Sequence, residues 1–160
     1  MQAIDFGAIV GKKPAGTRFI LVRHGETDWN KEKRFQGHTD IELNAHGLVQ
    51  AQLIKRFFEQ LQATELPFFD HCESSDLTRA RTTASTILGA NSMAMVLNPG
   101  LRERHYGHLA GMTGDEMHAH SPEEFDCLRN RTPDAPLKGG ESLHDFYHRV
   151  VSTFEEIARI

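Results

Sequence analysis

The sequence predicts an α/β fold, a three-layer sandwich in which helices cover both faces of a mostly parallel central sheet. Short predicted strands at 19–22, 68–75 and 93–97 alternate with longer segments whose apolar residues recur at helical spacing. Strands and helices that alternate in this way are typical of parallel sheets, because each crossover passes through a helix. A chain of 160 residues is long enough for one domain with a buried core.

The composition is that of an ordinary globular protein, with 39% hydrophobic and 25% charged residues and a formal net charge of -4. Nucleic-acid-binding proteins normally carry a basic excess, so nucleic acid is not an expected partner. No apolar stretch approaches the length of a membrane span, and two cysteines are too few for a disulfide scaffold. These features favour a cytoplasmic protein. Residues 1–17 lack the order of a signal peptide and are predicted to be a flexible leader before a domain at 18–160.

The first predicted strand is the unbroken apolar run at 19–22, which leads directly into Arg23, His24 and Gly25. An apolar run without polar alternation is typical of a strand buried on both faces. The carboxyl ends of parallel strands usually carry the chemistry of such a sheet, and Arg23 and His24 lie at that end. Gly25 allows the backbone to turn without a side chain in the way. A cation and an imidazole held in this manner are suited to a site in which the cation binds an anion and the imidazole attacks it.

A helix is predicted from Asn44, because apolar residues recur on one face as far as Leu61. The run at 68–75 predicts a second strand that ends in polar residues. Asp76 is then expected to cap a helix over 77–88, which is rich in helix-forming residues.

The last third of the chain is predicted to be rich in loops. After a third strand at 93–97, the stretch 101–140 contains many glycines and prolines, with short helices expected at 114–120 and 122–129. Ser142 is expected to cap an amphipathic helix that continues to the end of the chain. A protein of this pattern is expected to place a further strand after such a helix.

Five motifs in chain order carry the chemistry. They are residues 23–30 (RHGETDWN), 34–40 (RFQGHTD), 74–80 (SSDLTRA), 101–107 (LRERHYG) and 139–142 (GGES). Together they resemble the signature blocks of the histidine phosphatase superfamily, which includes the cofactor-dependent phosphoglycerate mutases. A lone Arg-His-Gly would be a weak signal, whereas the ordered set is specific and covers the chain from residue 18 onward.

The resemblance implies a phosphatase that acts on a small phosphorylated metabolite through a phosphohistidine. The residue that matches His24 attacks phosphorus, and the residue that matches Glu103 protonates the leaving oxygen. Phosphate oxygens are expected to contact Arg23, Asn30, Gln36, Gly37 and Arg79. Arginine can bind phosphate oxygens bidentately, and charge stabilisation dominates phosphoryl transfer. In the alternative interpretations, His24 bonds only to backbone and Glu103 forms a salt bridge with Arg102 or Arg104.

One part of the family pattern has no counterpart here. Family members carry a second active-site histidine in a His-Gly motif, on a strand that follows the last helix matched in this sequence. The sequence reaches Ile160 without this motif, so the fold is expected to lack its final strand or strands and the domain to be incomplete. Low stability and weak activity are expected consequences. A non-catalytic module that binds a phosphate ligand therefore remains an open hypothesis.

A cofactor-dependent phosphoglycerate mutase is the other open hypothesis. In the mutases, the stretch between the residues matching Glu103 and Gly139 is longer and supplies a basic lid. Here the stretch is short, which favours the phosphatase, although Arg104 and Tyr106 resemble mutase residues. The candidate lid cations are Arg129, Arg131 and Lys138.

No cofactor is expected, apart from 2,3-bisphosphoglycerate if the mutase hypothesis holds, and no metal site is expected. Among ten histidines, His118 with His120 and His144 with His148 have suitable spacing, but no cysteine or carboxylate cluster completes a site. Cys72 is interpreted as a buried strand residue rather than a nucleophile. No membrane partner is expected, and the oligomeric state is not determined, with a homodimer left open.

Overall fold

The computed structural model of the chain describes residues 17–62, 69–89 and 94–160. Helices and strands alternate along these residues, and the predicted α/β class is confirmed. Two short 3₁₀ turns, at Pro99–Leu101 and Gly107–Leu109, precede the last three helices. In chain order the elements are α1 (Asp28–Lys31), α2 (Ala45–Gln62), β1 (Cys72–Ser74), α3 (Thr78–Leu88), β2 (Met95–Leu97), α4 (Gly114–His120), α5 (Pro122–Arg129) and α6 (Leu143–Ala158).

The sheet in the described residues consists of β1 and β2, which pair in parallel with Cys72 opposite Met95 and Ser74 opposite Leu97. Parallel pairing requires a crossover, and α3 supplies it while packing against both α2 and β1. Both strands lie within the ranges predicted for the second and third strands. Ser74 and Ser75, at the carboxyl end of β1, are buried.

The prediction of a buried strand at 19–22 is wrong for this structure. Residues 17–27 form neither helix nor strand, and Leu21 is 74% exposed. Phe19 packs edge-to-face on Phe154 of α6, with ring centroids 5.4 Å apart. An apolar run becomes a central strand only where neighbouring strands and both helix layers cover it, and its own composition does not supply these partners. Residues 19–22 therefore form an exposed apolar strip that leads to Arg23.

The predicted role of Asp76 as the cap of α3 is also wrong. Asp40, 38 residues earlier in the chain, accepts hydrogen bonds from the Thr78 N–H (2.7 Å) and hydroxyl (2.7 Å) at the first residue of the helix. Asp76 instead forms a bidentate ion pair with Arg102. Capping requires only an oxygen near the free N–H groups of the first turn, and here a distant segment provides it.

A cluster of buried apolar side chains lies where loops were expected. Leu109, Met117 and Leu137 are buried together, and they connect a 3₁₀ turn, α4 and the segment before α6. The apolar side chains packed around them are Phe35, Tyr106, Met112, Phe125 and Leu128. The 101–140 stretch is thus held by its own small core, which gives the site residues on it a fixed position.

The two ends of the described chain are close together. The Thr17 hydroxyl donates to the carbonyl oxygen of Ala158 at 3.1 Å. The rest of the predicted leader lies outside the described residues. As predicted, Ser142 caps α6, and it forms a capping box with Asp145. None of the helices within the described ranges is long and apolar enough to cross a membrane.

Candidate active site

His24 lies at the end of the apolar strip, where the chain turns at Gly25. Its Nδ1 is 2.7 Å from the Gly25 carbonyl oxygen, so the ring proton belongs on Nδ1 and the Nε2 lone pair is free. Burial, together with the charges of Arg79 and Arg23, lowers the pKa of His24, although the bond to Gly25 opposes this effect. The backbone contact of the alternative interpretation is present, but it occupies only one nitrogen. His24 is therefore a neutral imidazole whose Nε2 can act as a nucleophile.

The turn after His24 is held against two helices by its backbone. Thr83 on α3 accepts a hydrogen bond from the Gly25 N–H (3.0 Å) and donates to the Arg79 carbonyl oxygen (2.7 Å). On the other side, a Cβ at Gly25 would lie 2.4 Å from the carbonyl oxygen of Gly47 in α2. Only glycine permits this approach. Sequence reasoning gave Thr83 no role, although its position one turn after Arg79 on the same helix face is a usable signal.

Arg79 is the most deeply buried cation of the site, at 1% exposure. Its Nη1 donates to the Thr39 carbonyl oxygen (2.9 Å), and its Nη2 donates to the Gly37 carbonyl oxygen (2.7 Å) and to Glu103 Oε2 (3.2 Å). Burial lowers the pKa of Arg79, and the nearby Glu103 carboxylate opposes this. The guanidinium stays charged because its ordinary pKa is so high. The backbone carbonyls hold it in a fixed orientation beside His24.

Glu103 pairs with Arg79 and not with either arginine beside it in sequence. The Arg102 guanidinium binds Asp76, and Arg104 Nε donates to the Glu141 carbonyl oxygen at 2.9 Å. The alternative in which Glu103 is bound by its sequence neighbours is therefore wrong. The structure places the candidate acid opposite the candidate phosphate clamp.

Tyr106 adds a neutral donor to Glu103. Its ring belongs to the small core and packs edge-to-face on Phe35, with centroids 5.1 Å apart. Burial, together with the charge and the hydrogen bond of Glu103, raises the pKa of Tyr106 to about 12. The phenol therefore stays protonated and donates to the carboxylate.

Thr27 organises the two candidate amides. It is fully buried, and its hydroxyl lies 3.1 Å from Asn30 Oδ1 and 3.0 Å from Gln36 Oε1. Asn30 also accepts from the Thr27 N–H at 3.1 Å, which completes the capping box of α1. Because both amide oxygens face Thr27, the NH₂ groups of Asn30 and Gln36 are the ends that can donate to other partners.

The other two predicted contacts, Gly37 and Arg23, take different positions. Gly37 has a φ of +55°, and its carbonyl oxygen is used by Arg79. A Cβ there would lie 2.9 Å from the Arg104 carbonyl oxygen, so Gly37 shapes the wall that holds Arg79. Arg23 is exposed, and its charge acts on both His24 and Arg79. Gly37 thus supports Arg79, whereas Arg23 is an exposed cation at the edge of the site.

The remaining candidates are less involved in the site. Within residues 17–62, 69–89 and 94–160, no group of three or more His, Cys, Asp or Glu side chains is arranged to hold a metal ion. Burial raises the pKa of the half-buried Cys72, which disfavours the nucleophilic thiolate. The candidate lid residues Arg129, Arg131 and Lys138 are exposed.

Comparison with known proteins identifies relatives of both kinds, phosphatases and mutases. Phosphoglycerate mutase-like protein 4 from Arabidopsis thaliana is 37% identical over 140 residues, which cover 86% of this chain and 59% of the relative. A 2,3-bisphosphoglycerate-dependent phosphoglycerate mutase from a Methylobacterium strain is 36% identical, over 86% of this chain and 66% of the relative. A metal-independent phosphoserine phosphatase from Arabidopsis thaliana is 37% identical, over 89% of this chain and 59% of the relative. The chain thus spans 59–66% of the length of these relatives.

Solved structures show the same fold. The phosphoglycerate mutase from Thermus thermophilus superposes with a TM-score of 0.65 at 36% identity, over 83% of this chain and 68% of that one. An Escherichia coli protein proposed to be an alpha-ribazole-5'-P phosphatase gives a TM-score of 0.77 at 25% identity, over 86% of this chain and 65% of that one. Residues 19–160 match the family model of the histidine phosphatase superfamily (branch 1). The chain therefore belongs to the histidine phosphatase superfamily.

Proposed function

We propose that the protein is a phosphatase that hydrolyses a small phosphorylated metabolite through a phosphohistidine on His24. The observation that carries this proposal is the state of His24: a neutral ring, its Nδ1 bonded to Gly25, with two arginine charges nearby. The relative described as a metal-independent phosphoserine phosphatase supports the same reaction class.

In the first step, the lone pair of His24 Nε2 attacks phosphorus and the ester P–O bond breaks. The electron pair of that bond goes to the leaving oxygen, which takes a proton from Glu103. The imidazolium that forms keeps its Nδ1–H on the Gly25 carbonyl oxygen, so the developing positive charge meets an oriented dipole. In the second step, water attacks phosphorus, the P–N bond breaks, and Glu103 accepts the proton that water loses.

The clamp around the phosphoryl group is expected to combine rigid and open donors. Arg79 is fixed by two backbone carbonyls, whereas Arg23 is exposed and free to close on the ligand. A phosphoryl oxygen that takes the Arg79 Nη2 donor competes with Glu103, and this releases the carboxyl group to carry a proton. The NH₂ groups of Asn30 and Gln36 would bind the remaining oxygens.

The proposal is tested by trapping the covalent intermediate. The protein is mixed with p-nitrophenyl phosphate, quenched in denaturant at alkaline pH, and analysed by intact mass and peptide mapping. We expect a phosphoryl group on His24 that acid removes and alkali does not, because a P–N bond is labile to acid. His24→Asn should abolish both the adduct and turnover, and His148→Asn, an exposed histidine on α6, should change neither. Turnover without a phosphoenzyme would overturn the proposal.

A mutase is the second candidate, and two observations favour it. A relative at 36% identity is a 2,3-bisphosphoglycerate-dependent phosphoglycerate mutase, and Arg104 and Tyr106 lie beside Glu103 within a stretch that resembles the mutases. Incubation with 3-phosphoglycerate, with and without 2,3-bisphosphoglycerate, followed by ³¹P NMR separates the candidates. Interconversion of the phosphoglycerates would favour the mutase, and release of phosphate alone would favour the phosphatase. Vanadate binding without either reaction would favour a binding module.

A further inference from the structure

Arg149, on the inner side of α6, binds the loop that carries Glu103. Its Nη1 lies 2.9 Å from the Gly100 carbonyl oxygen and 3.0 Å from that of Arg102, and its Nη2 lies 3.2 Å from that of Glu103. Three backbone carbonyls within four residues therefore converge on one half-buried guanidinium. Such a convergence fixes the path of the loop, because each carbonyl direction sets the orientation of its peptide plane.

Glu141 holds Arg149 in this position. Arg149 Nε donates to Glu141 Oε1 at 2.6 Å and its Nη2 donates to Oε2 at 2.7 Å, which is a bidentate pair. Burial opposes the charged form, but hydrogen bonds from Arg149 and His105 lower the pKa of Glu141. The carboxylate also accepts the His105 N–H (2.9 Å), and the Glu141 carbonyl oxygen accepts Arg104 Nε (2.9 Å). The Arg149–Glu141 ion pair is thus hydrogen-bonded to the loop on both sides of Glu103.

A second donor reaches the same peptide from the opposite direction. His38 Nε2 lies 3.0 Å from the Glu103 carbonyl oxygen, which Arg149 also contacts. The backbone of Glu103 is therefore held from α6 and from the segment after α1, while its carboxylate meets Arg79. A displacement of about 1 Å in a reacting group can cost on the order of 100-fold in rate.

We propose that Arg149, oriented by Glu141, is a positioning residue that fixes the 100–105 loop so that Glu103 can protonate the leaving oxygen. This role rests on the phosphatase function proposed above and adds a residue that does not touch the phosphoryl group. Arginine is required because its planar guanidinium offers about five donors in a fixed fork. A lysine keeps the charge but cannot bridge three carbonyls and a carboxylate together.

The choice of leaving group distinguishes this role from general structural support. Loss of a positioned acid should slow cleavage of an alkyl phosphate, whose alkoxide leaves only when protonated. The same loss should affect p-nitrophenyl phosphate little, because p-nitrophenolate departs without a proton. A change in folded fraction or in phosphate binding would slow both substrates equally.

The experiment measures kcat and KM of the unaltered protein and of Arg149→Lys, with O-phosphoserine and p-nitrophenyl phosphate as substrates. Glu103→Gln provides the reference for loss of the acid. Arg159→Lys, at an exposed arginine near the end of α6, is the matched control. We expect Arg149→Lys to lower kcat for O-phosphoserine by about 10- to 100-fold and kcat for p-nitrophenyl phosphate by less than about 3-fold, with KM unchanged. Glu103→Gln should show the same selectivity, and Arg159→Lys should stay within about 2-fold on both.

Equal losses on the two substrates, or none, would overturn the positioning role and leave the phosphatase function intact. Absence of turnover by the unaltered protein on both substrates would overturn the phosphatase function, and this role with it. If thermal unfolding shows that Arg149→Lys is not folded at the assay temperature, Glu141→Gln replaces it. That variant keeps the shape of the side chain and weakens the bidentate pair, and the same selective loss is expected.

Discussion

Replacement of Arg79 by methionine is the most informative single change in this protein. Methionine has a similar length but removes every donor that Arg79 offers to Gly37, Thr39 and Glu103. The bond to the Gly37 carbonyl oxygen is buried, and those to Thr39 and Glu103 are partly buried. A charge-assisted hydrogen bond contributes about 1.5–3 kcal/mol, and solvent access reduces this. If the buried bond counts in full and the two partly buried bonds count for less, we expect the free energy of unfolding to fall by about 3 kcal/mol.

Urea-induced unfolding followed by circular dichroism measures this loss at neutral pH. Arg81→Met is the matched control, because Arg81 is an exposed arginine two residues further along α3. We expect it to change the unfolding free energy by less than about 0.5 kcal/mol. Vanadate binding, measured by calorimetry, should be lost in Arg79→Met and retained in Arg81→Met. A destabilisation no larger than that of the control, with vanadate still bound, would show that Arg79 is not the buried clamp described here.

Three further changes test separate parts of the structure. Asp40→Ala should destabilise the protein by about 1 kcal/mol in urea unfolding, because Thr78 loses its cap; no loss would contradict the long-range cap. Burial lowers the pKa values of His24 and His38, so the unfolded chain binds these protons more readily. The unfolding free energy should therefore fall as the pH drops below about 6.5, and His24→Gln should reduce that slope; an unchanged slope would contradict the assignment. Leu21→Lys should reduce binding of a hydrophobic dye without lowering stability, because Leu21 is 74% exposed; a large loss of stability would indicate that residue 21 is buried.

The features that the sequence predicted well depend on short-range patterns. Residue spacing placed α2, α4 and α5 close to their observed bounds, and Ser142 was identified as the cap of α6. The spacing of apolar residues and the chemistry of caps act within a few residues, so they can be read directly. The motifs also named Arg79 and Glu103, which the structure brings within 3.2 Å of each other.

Contacts between distant segments were not predictable in the same way. Thr83 joins Gly25 across 58 residues, and the cap of α3 comes from Asp40. The position of Thr83 one turn after Arg79 indicates a shared helix face, but it does not identify Gly25 as the partner, and an aspartate in a loop carries no local mark of a distant cap. No role for Arg149 was predicted from the sequence, because its use as a support for the Glu103 loop depends on where α6 lies.

The α/β class, the family and the chemical groups at the site follow from the sequence alone, because they depend on periodicity and on residue types in a fixed order. Which partner each group takes depends on the packing of distant segments. The sequence suggested Arg102 or Arg104 as a salt-bridge partner of Glu103, and the structure instead pairs Glu103 with Arg79. The apolar strip at 19–22 was read correctly as apolar and wrongly as buried. The charge and hydropathy of a side chain define what it can bind. The distance between two side chains, and the burial of each by other segments, are properties of the whole fold.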